Sequence, residues 1–176
     1  MTALLLYSSR DGHTQRIMQR MAQLLSEQLV CEVADLHQLA TPDWDRYQRI
    51  MLGASIRYGH FHPLFWRFVQ QQAEPLNQRP SAFFCVNLVA RKPGKRTASS
   101  NPYLRKFLQR SPWQPTLCSA FAGALCYPRY RWFDRLLIQL IMSFTQGETD
   151  PTQSIEYTDW QQVDAFARQF SHLSES

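Results

Sequence analysis

The sequence contains no run of about 20 apolar residues, the length that a transmembrane helix requires. It contains neither GxxxxGK(S/T) nor GxGxxG, so it lacks the usual triphosphate loop and the dinucleotide fingerprint. Its cysteines, Cys31, Cys85, Cys118 and Cys126, form no CxxC pair and no His–Cys cluster with metal-site spacing. We interpret them as reduced thiols at mostly buried strand positions, and a zinc or redox role is the alternative.

Acidic side chains are absent from a long central segment. Residues 75–133 contain no Asp or Glu, in a chain of net charge +5. The same segment carries these basic side chains: Arg79, Arg91, Lys92, Lys95, Arg96, Arg105, Lys106, Arg110, Arg129 and Arg131. A region of one sign predicts an anionic partner, namely phospholipid headgroups, nucleic acid or an acidic small molecule. A basic surface that is merely solvated is the alternative.

The chain length of 176 residues predicts a single domain over residues 1–176. The hydrophobic share of 44% and the charged share of 19% are typical of globular proteins. The first residues have no basic region and no cleavage pattern, so a signal peptide is not expected. We therefore expect a cytoplasmic location.

Strand and helix patterns alternate along the chain. Short apolar runs predict five buried parallel strands: ALLLYS, VCEVADL, RIMLGAS, SAFFCVNLVA and LCSAFAGAL. Between them apolar residues recur at helical spacing, as in residues 17–25. A last helix is predicted from Thr158, with a capping box from Thr158 to Gln161. The order indicates an α/β fold, a doubly wound five-stranded parallel sheet that binds ligands beyond the carboxyl ends of its strands.

One segment does not fit this alternation. Residues 126–153 separate the fifth strand from the last helix, where a short loop would suffice, and we interpret them as a long insertion. The segment SIEYT after it is expected to resume the edge strand. Residues 132–146 predict a helix with a narrow polar stripe and an apolar arc too wide for packing on one sheet. Such a helix fits a membrane surface, and burial in the domain or an oligomer contact is the alternative.

The loop after the first strand predicts an anion site. YSSRDGHT places hydroxyl groups and a glycine at a helix N-terminus, where backbone N–H groups can surround a phosphate. An uncommitted strand-to-helix turn is the alternative. The loops GASIRYGHFHP and NLVARKPGKRT follow the third and fourth strands, so they are predicted to reach the same edge of the sheet.

These segments resemble a known family. The pattern S-x-x-G-x-T in residues 9–14 is similar to the phosphate loop of flavodoxins. Together with GASIRYGH, NLVARKPGKRT, AGALCYPRYRWFDR, GETD and YTDW, it resembles the bacterial quinone-dependent protoporphyrinogen IX dehydrogenases, the flavodoxin-like protoporphyrinogen oxidases. The similarity covers essentially the whole chain. The resemblance implies a flavodoxin-like fold, FMN as the cofactor, oxidation of protoporphyrinogen IX in haem biosynthesis, and a membrane quinone as the electron acceptor.

The resemblance also implies a cofactor site, with the chemistry carried by the flavin rather than by a named catalytic side chain. The implied cofactor-binding residues are Ser9, Arg10, Asp11, Gly12, His13, Thr14, Ser55, Ile56, Arg57, Tyr58, Gly59, Val86, Asn87, Leu88, Glu148, Thr149 and Asp150. Tyr58 is the candidate for stacking on the flavin, or else a surface aromatic. His60 and His62 are solvent histidines or proton handlers. Asp11 is expected to cap the first helix, with Arg10 supplying a compensating charge.

Two further sets of residues are predicted to bind partners. The substrate propionates are assigned to the basic residues Arg91, Lys92, Lys95 and Arg96. Contact with an anionic membrane surface, on the cytoplasmic face of the inner membrane, is assigned to Arg129, Arg131, Trp132, Arg135, Leu137 and Ile141. A homo-oligomer remains possible, no metal is expected, and no nucleic-acid partner is predicted, because a recognition motif is missing. The rival functions are a nicotinamide-fed quinone reductase and a flavodoxin-type electron carrier.

Overall fold

The computed structural model describes residues 1–126, 132–144, 147, 150, 152 and 154–174, with the backbone alone at residues 126, 132, 133 and 144. A five-stranded parallel sheet forms the centre of the fold. Its strands are β1 (Thr2–Ser8), β2 (Val30–Asp35), β3 (Arg49–Ser55), β4 (Ser81–Val86) and β5 (Leu117–Phe121). They lie in the order β2-β1-β3-β4-β5. The predicted doubly wound sheet is therefore confirmed.

Helices cover both faces of this sheet. In chain order they are α1 (His13–Leu25), α2 (Pro63–Gln71), α3 (Ala73–Asn77), α4 (Pro102–Arg110), α5 (Trp132–Phe144) and α6 (Trp160–Ser171). The apolar side chains of α1 and α6 share one core cluster, whereas those of α2, α3 and α4 belong to the other. The inner strands β1, β3 and β4 are therefore buried along most of their length, because both of their faces are covered.

Successive side chains along a strand point to opposite faces of the sheet and therefore belong to different core clusters. Leu4 and Leu6 of β1 belong to the cluster under α2 and α4, while Leu5 belongs to the cluster under α1 and α6. In β4 the ring of Phe84 lies against Gly53, its partner residue on β3. A Cβ atom on Gly53 would overlap this ring, so the close approach requires glycine there.

The insertion is joined to the domain by a small second sheet. Strands β6 (Ala124–Cys126) and β7 (Ser154–Glu156) pair antiparallel, with Leu125 opposite Ile155. The expected resumption of the edge strand is therefore wrong, because β7 pairs with β6 rather than with the central sheet. The predicted fifth strand divides at Gly123, whose carbonyl oxygen accepts the N–H of Tyr157 at 3.1 Å.

Helix α6 is capped by a different residue from the one predicted. Its N-cap is Asp159, whose Oδ1 accepts the backbone N–H of Gln162 at 3.2 Å. The Thr158–Gln161 capping box is therefore wrong. The Thr158 hydroxyl donates to the carbonyl oxygen of Ala122 at 2.8 Å instead. The hydrogen bond from Gln162 and the guanidinium of Arg96 hold the pKa of Asp159 below its usual range.

We expect Asp159→Ala to lower the free energy of unfolding by about 1 kcal/mol, because it removes the N-cap acceptor. Asp159→Asn keeps an acceptor and should retain most of the stability. Since the pKa of Asp159 is lowered by folding, its ionic contribution is present above about pH 4 and is lost as the pH falls further. Urea unfolding of wild type and Asp159→Asn should therefore differ less at pH 3 than at pH 7. An unchanged stability of Asp159→Ala would contradict this assignment.

Candidate flavin-binding site

The loops that follow β1, β3 and β4 meet at the carboxyl edge of the sheet and enclose a cavity of about 190 Å³. Most of the predicted cofactor-binding residues line it: Ser9, Asp11, His13, Thr14, Ser55, Ile56, Arg57, Tyr58, Gly59, Val86, Asn87 and Leu88. Arg10 and Gly12 belong to the first loop without lining this cavity, and Arg10 faces a neighbouring one. Glu148 and Thr149 lie outside the described residues.

Asp150, the last predicted cofactor residue, is described but does not line the cavity. Its Oδ1 accepts the backbone N–H of Thr152 at 2.9 Å and the Thr152 hydroxyl at 2.7 Å. In the described part of the chain, Asp150 therefore stabilises a local turn of the insertion.

The first loop leaves the N-terminus of α1 open to an anion. Gly12 is the N-cap, at φ 82°, and its N–H donates to Ser9 Oγ at 3.1 Å. Thr14 is only 1% exposed, and its hydroxyl has no hydrogen-bond partner within the described part of the chain. A buried hydroxyl without a partner is destabilising, whereas a phosphate oxygen would satisfy it. The loop therefore fits a ligand that carries a phosphate group.

Asp11 forms an ion pair instead of capping α1. Arg57 Nη1 lies 2.7 Å from Asp11 Oδ2, and Arg57 Nη2 lies 3.1 Å from Asp134 Oδ2 on α5. The predicted capping role of Asp11 is therefore wrong. Arg57, rather than Arg10, supplies the positive charge beside this carboxylate, which reduces its repulsion of a phosphate group.

A tight turn after β3 presents Tyr58 to the cavity. The turn is closed by two backbone hydrogen bonds between Arg57 and His60, of 2.9 and 3.0 Å. Tyr58 and Gly59 both have positive φ, of 51° and 79°. The Tyr58 ring lies over the Arg57 guanidinium at 5.5 Å and remains 45% exposed. It is therefore accessible for stacking on a planar ligand, and the stacking role stays a prediction.

The two histidines of the same loop have local structural partners. His60 Nδ1–H donates to the carbonyl oxygen of Tyr58 at 2.7 Å. His62 Nδ1 accepts the N–H of Leu64 at 3.2 Å and thereby caps α2. Partial burial and the neighbouring His37 lower the pKa of His62. These contacts account for both side chains as loop and cap residues, and a proton-handling role stays a prediction.

His13 fastens the phosphate loop to the segment before α6. The hydroxyl hydrogen of Thr158 is donated to Ala122, so His13 Nε2–H donates to Thr158 Oγ1, at 2.6 Å. Burial lowers the pKa of His13, which favours the neutral ring. The segment YTDW therefore supports the site through Thr158.

The loop after β4 is held rigid by a buried amide. Asn87 Oδ1 accepts the N–H of Ala90 at 3.1 Å and Asn101 Nδ2–H at 3.2 Å. The N–H of Ile56 donates to the carbonyl oxygen of Val86 at 2.9 Å, which joins this loop to the one after β3. The backbone of residues 86–89 is thus fixed along one wall of the cavity.

The insertion helix closes the cavity, which the sequence reasoning missed. Ile138, Ile141 and Met142 of α5 line the cavity together with Tyr103 and Gly123. Met142 is fully buried and packs with Leu125, Leu88 and Ile138. The apolar residues of α5 indicated a packing face, but no sequence signal indicated that this face would cover the site.

The four predicted substrate residues lie in different surroundings, and they do not form one cluster at the cavity. Arg91 lines the cavity, and its Nη1 donates to the carbonyl oxygen of Leu88 at 2.9 Å. Arg96 pairs with Asp159 at 2.8 Å and donates from Nε to the carbonyl oxygen of Ala90. Lys92 and Lys95 are exposed. Of these four residues, Arg91 is therefore the only one that lines the cavity in the described part of the chain.

A doubly wound sheet with an anion-binding first loop and a cavity between the β3 and β4 loops defines a flavodoxin-type flavin-binding domain. The family model described as "Flavodoxin domain" matches residues 4–152, and the chain belongs to this family. A flavin is therefore the cofactor of the site. Flavodoxin 1 from Bacillus cereus superposes with a TM-score of 0.55 at 16% identity, covering 99% of this chain and 100% of that one. An archaeal flavodoxin superposes with a TM-score of 0.55 at 12% identity, covering 97% of this chain and 96% of that one. These likenesses concern the fold alone.

Closer relatives share a single name. The chain is 51% identical to "Protoporphyrinogen IX dehydrogenase [quinone]" of Escherichia coli strain K12, over 99% of this chain and 97% of that protein. It is 51% identical to the protein of the same name from Leishmania major, over 97% of this chain and 74% of that protein.

We expect Thr14→Val to weaken FMN binding by about 1.5–3 kcal/mol, because the buried hydroxyl no longer donates to a charged phosphate. Fluorescence titration of the apoprotein would measure this loss. Riboflavin, which has no phosphate, should bind wild type and variant equally. Thr41→Val, at an exposed threonine that does not line the cavity, is the matched control. Equal FMN affinities of Thr14→Val and wild type would contradict the phosphate site.

Proposed function

We propose that this protein oxidises protoporphyrinogen IX to protoporphyrin IX and passes the electrons to a quinone. The observation that carries the proposal is the 51% identity to protoporphyrinogen IX dehydrogenases of the quinone type, which extends over 99% of the chain. The flavin cavity supports it, because conversion of the porphyrinogen requires a redox cofactor that can accept electron pairs.

The cofactor we propose is FMN. The first loop has a single buried hydroxyl at the N-terminus of α1, which suits one terminal phosphate. The sequence has no GxGxxG motif to hold the pyrophosphate of a dinucleotide such as FAD. FMN is the flavin whose phosphate content matches this loop.

The side chains around the cavity bind and orient the partners of the reaction. A flavin held there would supply the two-electron redox chemistry that links oxidation of the porphyrinogen to reduction of the quinone. The Tyr58 turn and the rigid loop at Asn87 fix the two sides of the ring site. Ile138 and Met142 exclude water from it, which limits loss of electrons to side reactions.

The stoichiometry follows from the two macrocycles. Protoporphyrinogen IX gives up six electrons and six protons as it becomes protoporphyrin IX. Three quinones, each taking two electrons and two protons, therefore become three quinols for every porphyrin formed. Each porphyrin formed therefore requires three quinones in succession, so the quinone needs repeated access to the site.

We propose that α5 provides this access by lying on the cytoplasmic face of the membrane. Leu136 and Leu140 are 57% and 56% exposed, and Leu137 and Ile141 extend the same apolar face. Arg135, partly buried, lies on the same helix. Among the described residues, no helix is both long enough and apolar enough to cross a membrane.

The apolar face of α5 suits an interfacial helix, which buries its apolar side at the headgroup boundary. The remaining predicted membrane residues, Arg129 and Arg131, lie outside the described residues, as does the side chain of Trp132. One side of α5 lines the flavin cavity and another side is exposed, and this arrangement supports entry of the quinone from the bilayer. A quinone with a long isoprenoid tail could then reach the flavin without leaving the lipid.

The central prediction is a turnover assay. The purified flavoprotein should form protoporphyrin IX from protoporphyrinogen IX when supplied with a quinone, under anaerobic conditions that suppress autoxidation. Porphyrin fluorescence reports the product, and quinol formation should reach three per porphyrin. Reduction of the flavin by NADH without porphyrinogen would instead favour a quinone reductase. A flavoprotein inert to both reductants would favour an electron carrier.

A second prediction concerns the membrane. Leu136→Glu with Leu140→Glu should lower affinity for anionic vesicles about 100-fold, because burial of two leucines contributes roughly 3 kcal/mol. Turnover with a long-tailed quinone should fall, while a water-soluble quinone should still reoxidise the flavin. Neither leucine lines the flavin cavity, so flavin content should not change.

The control adds the same charge outside α5. Gln19→Glu with Gln23→Glu, on the surface of α1, should leave vesicle binding nearly unchanged. Vesicle sedimentation measures both variants. Equal vesicle binding by the α5 variant and by wild type would mean that α5 does not lie on the membrane.

A further inference from the structure

A second cavity adjoins the flavin cavity, and its lining has a distinct chemical character. It has a volume of about 560 Å³, within the range of roughly 300–1,000 Å³ typical of small-molecule sites. It lies between α2 and α4 and shares Ile56, Gly59 and Tyr103 with the flavin cavity. A ligand in this groove would therefore have one edge at the flavin.

The wall of this groove is aromatic. Phe107 is fully buried and Phe61 nearly so, and the Trp66 ring lies 5.4 Å from Phe107 and 6.1 Å from Phe61. Trp66 is itself only partly buried. A flat or shallowly puckered apolar ring system would bury this surface on binding.

The charges in the groove all have one sign. Arg67, Lys106 and Arg110 line it, and the described lining contains no Asp or Glu. The Arg110 guanidinium lies 6.0 Å from the Trp66 ring, over its face. Among the described residues, no ion pair joins any of these three cations to an acidic side chain. They are therefore available to carboxylates of a ligand.

The direction of the helices places these charges away from the flavin. Both α2 and α4 begin at the carboxyl edge of the sheet, where Tyr103 lies between the two cavities. At 1.5 Å per residue, Lys106 lies about 4.5 Å and Arg110 about 10.5 Å farther along α4 than Tyr103. The groove therefore runs from an apolar end beside the flavin to a cationic end.

We infer that this groove, lined by Trp66, Arg67, Lys106 and Arg110, holds the tetrapyrrole substrate, with its propionates at the cationic end. The inference rests on the proposed function and adds where the macrocycle lies. The two propionates of protoporphyrinogen IX project from adjacent rings, so its charge lies on one edge. That edge matches the basic end, while the opposite rings reach Ile56 and Tyr103 beside the flavin. The propionates are thus assigned here rather than to the exposed Lys92 and Lys95.

The test compares two triple variants that remove equal charge. Arg67→Gln, Lys106→Gln and Arg110→Gln together should raise the KM for protoporphyrinogen IX about tenfold, since each exposed charge pair contributes modestly. The control replaces the exposed Lys92, Lys95 and Arg105 by Gln and should leave KM within about twofold of wild type. Flavin content and thermal stability should be unchanged in both. An equal rise in both variants, or a rise in the control alone, would overturn the assignment.

A binding measurement separates this inference from the proposed activity. Protoporphyrin IX should quench tryptophan fluorescence of the flavoprotein, and the variant Arg67→Gln, Lys106→Gln and Arg110→Gln should require about tenfold more protoporphyrin IX for the same quenching. The dimethyl ester of protoporphyrin IX lacks the carboxylates. It should therefore bind equally to wild type and to the triple variant in which Arg67, Lys106 and Arg110 are replaced by Gln. If wild type binds protoporphyrin IX in this way but does not oxidise the porphyrinogen, the proposed function fails and the groove assignment stands. Equal affinity of this triple variant and wild type for protoporphyrin IX, or no binding by wild type, would overturn the groove.

Discussion

The arrangement of the site depends on the guanidinium group of Arg57. This side chain follows β3 and lies between Asp11 in the phosphate loop and Asp134 on the insertion helix, at 2.7 and 3.1 Å. The side chains of Arg57 and Asp134 are only 18% and 10% exposed, so their attraction is screened less than that of a surface pair. One cation thus joins three segments that are distant in sequence. The cavity exists because these segments are held around it.

The insertion helix has two different surfaces because it packs on the domain along only one side. Met142 and Ile138 face inward to the flavin cavity, whereas Leu136 and Leu140 face outward. The antiparallel pair β6 and β7 holds the two ends of the insertion together. A helix anchored in this way can cover a cofactor and contact a lipid surface at once. On the proposed function, this position suits reduction of a membrane quinone, since such an acceptor stays in the bilayer.

On the proposals made here, the two partners of the reaction approach the flavin from different directions. The quinone arrives beside α5, and the tetrapyrrole occupies the groove between α2 and α4. Among the described residues, the two cavities share only Ile56, Gly59 and Tyr103. The porphyrinogen could therefore remain bound while its electron pairs leave one after another. Retaining the macrocycle would prevent release of partly oxidised, reactive intermediates.

The sequence alone determined the central sheet and the loops of the site, because both follow from local patterns. Runs such as ALLLYS specify strands covered on both faces, and parallel strands bring the loops after β1, β3 and β4 to one edge. Tertiary structure alone decided the partners of Arg57, since Asp11 and Asp134 lie 46 and 77 residues away from it in sequence. It also decided that Asp159 rather than Thr158 caps α6, that β7 pairs with β6, and that α5 covers the flavin cavity. Periodicity specifies which face of a helix is apolar, but the surface which that face covers depends on contacts between distant segments.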